Sequence, residues 1–157
     1  MRFRRTSLVL IVILSTMVPC AFAYHEEVGA EAQEVFAAAR EVLRSYGLSR
    51  EDSQNLFLES NWVMGRSERS RSLILFKIRK DYLRQTRFRI QLKRWPRFTE
   101  IEIRADYRFK RPDGAASAPW RKMKPKFQDY SQERDLFRKI LAQVEFNRRT
   151  SQSSPQA

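Results

Sequence analysis

The segment from residue 87 to residue 109 constrains the fold of this chain most, because apolar and polar residues alternate along it in two successive runs. An alternation of period two over that length predicts β-strands with one buried face and one solvated face. The two runs therefore predict an antiparallel sheet whose apolar face is covered by the rest of the chain. The apolar members of the runs are Phe88, Ile90, Leu92, Ile101, Ile103, Ala105, Tyr107 and Phe109.

A short break at Pro96 and Arg97 separates the two runs and predicts the turn between them. A turn at this point fixes which residues of the two strands lie opposite each other. The same register aligns opposite charges on one face and apolar side chains on the other, and such cross-strand pairs contribute roughly 0.2–1 kcal/mol each. The predicted pairs are Lys93 with Glu100, Arg87 with Asp106, and Leu92 with Ile101.

Two helices and two further strands are predicted from the rest of the chain. Apolar residues at helical spacing predict a helix from Glu26 to Tyr46, which Gly47 terminates. The polar stretch 65–70 predicts a hairpin loop, and the prolines of 110–128 predict an irregular loop. The result is an α+β fold: an N-terminal helix, a four-stranded antiparallel sheet, and a C-terminal helix packed on one sheet face. The predicted strands are 56–64, 72–79, 87–93 and 100–109, and the last helix is 131–147.

The first 23 residues have the pattern of a secretory signal peptide. Arginines at the start precede an apolar run at 8–14, and small residues stand at 21 and 23, where a signal peptidase cleaves. The run is shorter than the roughly 20 residues that span a bilayer. We expect export to the periplasm, with the mature chain beginning near Tyr24. The predicted divisions are 1–23 for the signal peptide, 24–149 for a single α+β domain and 150–157 for a disordered tail.

Cys20 is the one cysteine of the chain and lies inside the predicted signal peptide. A cysteine after an apolar run can carry a lipid anchor, but lipoprotein signals place a small residue before that cysteine, and here Pro19 precedes it. We therefore expect release of a soluble protein rather than lipid anchoring at Cys20. The mature domain then has no disulfide and depends on its own hydrophobic core.

Basic residues dominate the chain, whose formal net charge is +13 at pH 7. Between Arg66 and Arg94 the sequence carries eleven basic residues and two acidic ones. Such density attracts an anionic partner over a long range, although a basic sheet face can also serve only to keep a protein soluble. The strand residues predicted to contact a partner are Arg87, Arg89 and Lys93.

The loop 110–128 is the second candidate binding segment. Trp120 lies in it among basic residues, and the prolines lower the entropy that the loop loses on immobilisation. A tryptophan there either fills the edge of the core or anchors a partner. Trp62, in contrast, is predicted to pack in the core, because it shares strand parity with Leu56 and Leu58. The basic residues predicted to bind together with Trp120 are Arg121, Lys122, Lys124 and Lys126.

Groups that could perform catalysis or hold a metal are sparse. His25 is the one histidine, and no cluster of histidine, cysteine and carboxylates has metal-ligand spacing. A hydrolase would have to use Glu59, Glu100 or Glu102, but nearby cations favour ion pairing for these carboxylates. We expect a protein that is not an enzyme and that has no metal or cofactor.

The order of elements resembles the helix-grip domains of BamC, the accessory lipoprotein of the outer-membrane barrel-assembly complex. The residues that carry the resemblance are the helix ending at Tyr46 and Gly47, the strand 59–62, the alternating strands 86–109 and the closing helix 133–146. The resemblance implies a helix-grip fold and a non-enzymatic role in envelope assembly.

Two functions are therefore predicted, of which the first leads. The first is a periplasmic adaptor whose basic strand face and loops contact an acidic envelope protein or another anionic envelope component. The second is a carrier of a lipid or small apolar ligand held between sheet and helix. Export argues against nucleic acid as a partner, whereas peripheral contact with a membrane surface and the oligomeric state are left open.

Overall fold

Seven strands and two helices follow one another within the residues that the computed structural model describes, which are 23–72, 77–111, 117–122 and 130–153. The predicted signal peptide up to residue 22, Lys124, Lys126 and residues 154–157 lie outside the described residues. The elements are β1 (Tyr24–Val28), α1 (Ala32–Arg44), β2 (Leu48–Asp52), β3 (Phe57–Ser60), β4 (Val63–Ser72), β5 (Lys77–Arg94), β6 (Thr99–Lys110), β7 (Arg121–Lys122) and α2 (Ser131–Ser153).

All seven strands belong to one antiparallel sheet, so the α+β class is confirmed and the predicted number of four strands is wrong. The strand order is β1-β6-β5-β3-β2, with β4 pairing to β5 beyond the end of β3, and β7 pairing to β6 beyond the end of β1. The additional strands are short or polar, and none carries the alternation that marks β5 and β6. Their place in the sheet comes from pairing with a long neighbour rather than from their own pattern.

The register between β5 and β6 is the predicted one. Lys93 lies opposite Glu100, Arg87 opposite Asp106, and Leu92 opposite Ile101. The backbone N–H of Trp95 donates to the carbonyl of Phe98 at 3.0 Å and closes the turn at residues 96 and 97. Agreement of charge pairs and apolar faces in one register therefore identified the centre of the sheet correctly.

The hairpin before β5 differs from its prediction. Residues 65–70, predicted to be a loop, lie inside β4, and the register runs from Val63 opposite Thr86 to Ser72 opposite Lys77. β5 is one strand of 18 residues instead of the end of one strand and the whole of the next. A polar sequence does not exclude a strand, because the hydrogen bonds between strands are made by backbone groups and both faces of such a strand can be solvated.

The predicted helix from Glu26 to Tyr46 is a strand followed by a shorter helix. Residues 24–28 form β1 along β6, and α1 begins at Ala32. Gly47 terminates the helical region as predicted, with φ of +76°. A Cβ at Gly47 would lie 2.8 Å from the Asn61 side-chain nitrogen, so both backbone angle and space favour glycine there.

Both helices cover the same face of the sheet and bury its apolar side chains. Each fully buried aliphatic side chain contributes about 1.5–3 kcal/mol, and these side chains fill the space between helices and sheet. α2 continues through Thr150 to Ser153, past the predicted start of the tail. None of the described helices combines the length and the apolarity needed to cross a membrane. The core includes Val35, Phe36, Leu43, Leu58, Phe88, Ile90, Ile101, Ile103, Leu136, Ile140 and Val144.

Candidate anion-binding surface

The outer face of the sheet, which is the face opposite the helices, carries the charged side chains. Successive strand residues point to opposite faces, so the buried rows of Ile90 and Ile103 alternate with charged rows. Every predicted binding residue of β5 lies on this outer face. The outward-facing residues of the central strands are Arg87, Arg89, Gln91 and Lys93 on β5, and Glu100, Glu102, Arg104, Asp106 and Arg108 on β6.

Arg87 and Arg89 are bound to carboxylates of neighbouring strands. Arg87 donates from Nη1 to Glu59 at 3.1 Å and from Nη2 to Asp106 at 2.9 Å. Arg89 donates from Nη2 to the other oxygen of Asp106, also at 2.9 Å. The Asp106 carboxylate is thus shared by two guanidinium groups, and both arginines are neutralised within the protein.

Lys93 is neutralised in the same way near the other end of the strand pair. Its ammonium donates to Glu100 at 3.0 Å, and the indole N–H of Trp95 donates to the second oxygen of Glu100 at 3.2 Å. The hydrogen bond from Lys93 is the main cause that lowers the pKa of Glu100, and contacts from Trp95 and His25 add to it. We call the set Glu59, Arg87, Arg89, Lys93, Glu100, Glu102, Arg104 and Asp106 the ion-pair ladder.

Trp62 lies on the outer face, so its predicted place in the core is wrong. β3 pairs with β5 so that Leu58 lies opposite Ile90, whereas β4 pairs so that Val63 lies opposite Thr86. Between these pairs the segment that joins β3 to β4 has one residue more than the facing stretch of β5, which is the geometry of a β-bulge. One extra residue reverses strand parity and turns Trp62 outward.

At the bulge, the Trp62 ring packs against two arginines. The Cζ atom of Arg108 lies 4.0 Å from the ring centroid, and that of Arg87 lies 4.8 Å from it. Guanidinium groups at this distance from an aromatic face are attracted by its quadrupole. Trp62 therefore marks the boundary between the ion-pair ladder, to which Arg87 belongs, and the next row of the sheet, to which Arg108 belongs.

Beyond Trp62, at the end where β4, β5, β6 and β7 lie side by side, five cations have no carboxylate partner within the described part of the chain. One row across this end is Met64, Gln85, Arg108 and Lys122. Arg108 lies opposite the uncharged Gln85, whereas Arg87 lies opposite Asp106. Lys122 is exposed. We define the cationic end as Arg66, Arg108, Arg111, Arg121 and Lys122. Arg66, Arg108 and Lys122 face outward, whereas Arg121 lies opposite Phe109 and faces the other side of the sheet.

The predicted binding residues thus fall into two places. Arg87, Arg89 and Lys93 belong to the ion-pair ladder, and Arg87 and Lys93 are separated by six positions, about 20 Å, along β5. Arg121 and Lys122 form β7 at the cationic end, and the half-buried Trp120 directly precedes them. The prolines of 110–128 predicted an irregular loop here, but two of its residues pair with β6 as a strand.

Sequence reasoning missed Arg66, Arg108 and Arg111 as candidates. For Arg108 the signal was available, because the predicted register places the uncharged Gln85 opposite it. Net charge alone cannot make this distinction, since it counts paired and unpaired cations equally. The partner of each cation across the strands is the informative quantity.

The candidate catalytic carboxylates are all in ion pairs. Glu59 accepts from Arg87, Glu100 accepts from Lys93, and Glu102, which is nine-tenths buried, contacts Arg104. Within the described residues, no group of three or more histidine, cysteine or carboxylate side chains is arranged to hold a metal ion. These carboxylates therefore hold the sheet together through charge.

Comparisons with known proteins give structural similarity alone. No protein-family model matches the chain, and no curated protein matches it. A DUF4468 family protein from Bacteroides ovatus is similar over 86% of this chain and 88% of its own, with 11% identity and a TM-score of 0.38. A Thermus thermophilus protein is similar over 84% of this chain and 98% of its own, with 12% identity and a TM-score of 0.27. The resemblance to BamC stays a prediction.

Proposed function

We propose that this protein is a non-enzymatic binding module, with a helix-grip-like arrangement of helices on the sheet, that contacts an acidic partner through its cationic end. The observation that carries the proposal is the unequal pairing of cations in two parts of one sheet. The ion-pair ladder supplies a carboxylate to each of Arg87, Arg89 and Lys93. The five cations of the cationic end have no such partner within the described residues.

The physical consequence is a local positive potential at one end of the sheet. Paired charges largely cancel beyond a few ångströms, whereas unpaired charges act over about one Debye length, roughly 10 Å at 0.1 M salt. A cluster of one sign steers an oppositely charged partner and raises its association rate. The cationic end, rather than the whole basic strand face, is therefore the proposed contact surface.

Side chains suited to hold a partner lie beside these charges. Trp62 is half-buried against Arg108, Met64 is 56% exposed, and Trp120 is half-buried next to β7. Tryptophan and arginine are the residue types that most often dominate binding energy at protein interfaces. This combination supports a protein as the partner, because apolar anchors beside cations match an acidic polypeptide with apolar side chains.

The proposed place of action is the periplasm, on the strength of the sequence at 1–23. The partner is then an acidic protein of the cell envelope. The competing function, carriage of an apolar ligand between sheet and helix, has less support, because that space is occupied by side chains such as Leu58, Ile90, Ile103 and Ile140.

The proposal is tested by fluorescence anisotropy of the purified protein with fluorescein-labelled poly-L-glutamate. We expect binding at about 0.1 M salt that is lost towards about 1 M, where the Debye length falls to about 3 Å. Labelled poly-L-lysine is the control and should not bind. Absence of poly-L-glutamate binding at the lower salt concentration would contradict the proposal. Cross-linking in envelope extracts at both salt concentrations then identifies the natural partner.

A further inference from the structure

In the part of the chain that the structure describes, the outer edge of β4 is open. β4 pairs with β5 along its full ten residues, and within the described residues no strand pairs with its other side. The neighbouring strand β2 covers β3 only as far as Leu48 opposite Ser60, and the carbonyl of Gly47 accepts from the N–H of Asn61 at 2.6 Å. The uncovered edge begins directly after this point and spans about 33 Å. Its outward N–H and C=O groups form a template for another strand.

Gly65 lies within this edge strand although its own surroundings do not demand glycine. A Cβ at Gly65 would meet only the backbone oxygen of Arg84, at 4.0 Å, which is ordinary contact, and its φ is not in the left-handed region. Glycine in a strand interior weakens the strand and often marks a place where another backbone approaches closely. The described structure holds no internal contact that requires glycine here.

Met64 and Arg66 lie two residues apart on the same edge and both face outward from the sheet. The register places Met64 opposite Gln85 and Arg66 opposite Leu83, which belong to the outward-facing positions of β5. Met64 is one of the few large apolar side chains that are mostly exposed, and Arg66 is exposed without a carboxylate partner among the described residues. A strand added beside β4 would bring its own side chains within about 5 Å of both.

We propose that the edge of β4 from Val63 onward binds an extended acidic segment of the partner protein as an additional strand. The inference rests on the proposed function and specifies how the cationic end is used. The segment places an apolar side chain opposite Met64 and a carboxylate opposite Arg66, two residues further along. Main-chain hydrogen bonds supply affinity, and these alternate side chains supply specificity.

Charge selects the acidic segment over a second copy of the chain. Pairing two β4 strands would bring together two cationic ends in a protein of formal net charge +13. Like charges opposite each other destabilise a strand pair, and charged edges are a common protection against self-association. The same charges attract an acidic strand, so they oppose pairing with a second copy of the chain and favour pairing with the proposed partner.

The experiment compares two labelled peptides of about ten residues and equal charge. One repeats valine, threonine, glutamate and threonine, so that valine and glutamate alternate along one face of the strand. The other has the same number of glutamates with prolines that prevent strand pairing. We expect the alternating peptide to bind at least about tenfold more tightly, with slowed hydrogen exchange at the β4 amides. Equal binding by both peptides would overturn the inference and leave the proposed function standing. Failure of both, while poly-L-glutamate binds, would also overturn the inference alone.

A pair of proline variants tests the edge itself. Backbone N–H groups of consecutive strand residues point alternately to the paired strand and away from it. Of Met64→Pro and Gly65→Pro, one therefore removes an outward N–H and the other removes a bond to β5. We expect the variant that keeps its melting temperature to lose peptide binding, whereas Met64→Ala, the side-chain control, keeps most of it.

Retained peptide binding in the stable proline variant would overturn the inference. A different use of the edge would show in analytical ultracentrifugation of the protein without peptide. A dimer that the same proline substitution dissociates would replace the acidic partner by a second copy of this chain and would also overturn it.

Discussion

The ion-pair ladder lies on the outer face of β3, β5 and β6, and the cationic end lies at one end of the same sheet, yet cations have carboxylate partners only in the first of these two regions among the described residues. In the ladder each of Arg87, Arg89 and Lys93 has a carboxylate within 3.1 Å. At the cationic end Arg108 lies opposite Gln85, and β7 adds two exposed cations. The difference arises from strand register rather than from the number of basic residues. Cations that the register places beside a carboxylate stabilise the fold, and cations that it leaves without a carboxylate are available to bind a partner.

The ladder is also costly to disturb, because its groups are partly withdrawn from water. The side chains of Arg87 and Glu59 are 27% and 19% exposed, and the Nε atoms of Arg87 and Arg89 are buried with no hydrogen-bond partner within the described structure. Such groups depend on the carboxylates that remain to them. Substitutions in the ladder should therefore act on stability, and substitutions at the cationic end on binding.

The largest effect is expected for Asp106→Ala, which removes the carboxylate shared by Arg87 and Arg89. Two partly buried guanidinium groups then lose a charged partner, and we expect a loss of about 2 kcal/mol in the free energy of unfolding. The melting temperature should fall by roughly 5–10 °C. Asp135→Ala on the exposed face of α2 removes the same charge and should change the unfolding free energy by less than about 0.5 kcal/mol. Equal effects of the two substitutions would contradict the claim that a carboxylate of the ion-pair ladder stabilises the protein more than an exposed surface carboxylate.

A smaller effect on stability, joined to an effect on binding, is expected for Trp62→Ala at the boundary of the two regions. The ring contacts Arg87 on one side of the boundary and Arg108 on the other. Loss of both contacts should cost about 1–2 kcal/mol and should weaken poly-L-glutamate binding, because Arg108 loses the ring that positions it. Trp62→Phe keeps an aromatic face and should retain most of both properties. Unchanged binding in the alanine variant would assign Trp62 to the ladder alone.

The smallest effect concerns the pH dependence of the ladder at Glu100. The hydrogen bond from Lys93 lowers the pKa of Glu100 below its ordinary value of 4.5. The unfolded chain therefore binds the proton more readily than the folded protein, and the stability from Glu100 is present above pH 4.5 and lost as pH falls through the lower folded pKa. Urea unfolding of Glu100→Gln should show a flatter loss of stability in that range than the wild type. Glu145→Gln, far from the ladder, should leave the wild-type slope intact.

The sequence predicts the parts of the fold that follow from its own periodicity. The alternation around residues 88–109 gives the central strand pair and its register, and Gly47 gives the end of the helical region. β1 and β2 escape prediction because they are strands of five residues whose pattern resembles a helix or a polar loop. Their pairing is decided by the exposed edges of β6 and β3, which no local pattern describes.

Some features of the candidate surface can be predicted from the sequence, and others depend on strand pairing. The charge density of residues 66–94 is visible in the sequence, and so are Trp120, Arg121 and Lys122. The bulge before β4 is not, since an extra residue in one strand has no local signature, and it reverses the side on which Trp62 lies. Which cations remain unpaired follows only after the register is known.

The most direct test compares two double substitutions that remove equal charge from the two regions. Arg121→Ser with Lys122→Ser alters the cationic end, and Arg89→Ser with Lys93→Ser alters the ladder. The affinity for labelled poly-L-glutamate is measured across a range of salt concentrations for both variants and for the wild type. We expect the first variant to lose at least about tenfold in affinity at 0.1 M salt, with a weaker salt dependence and an unchanged melting temperature. The ladder variant should keep its affinity within about threefold while it melts at a lower temperature. Equal losses of affinity in the two variants, or a greater loss in the ladder variant, would contradict the claim that unpaired rather than total charge defines the binding surface.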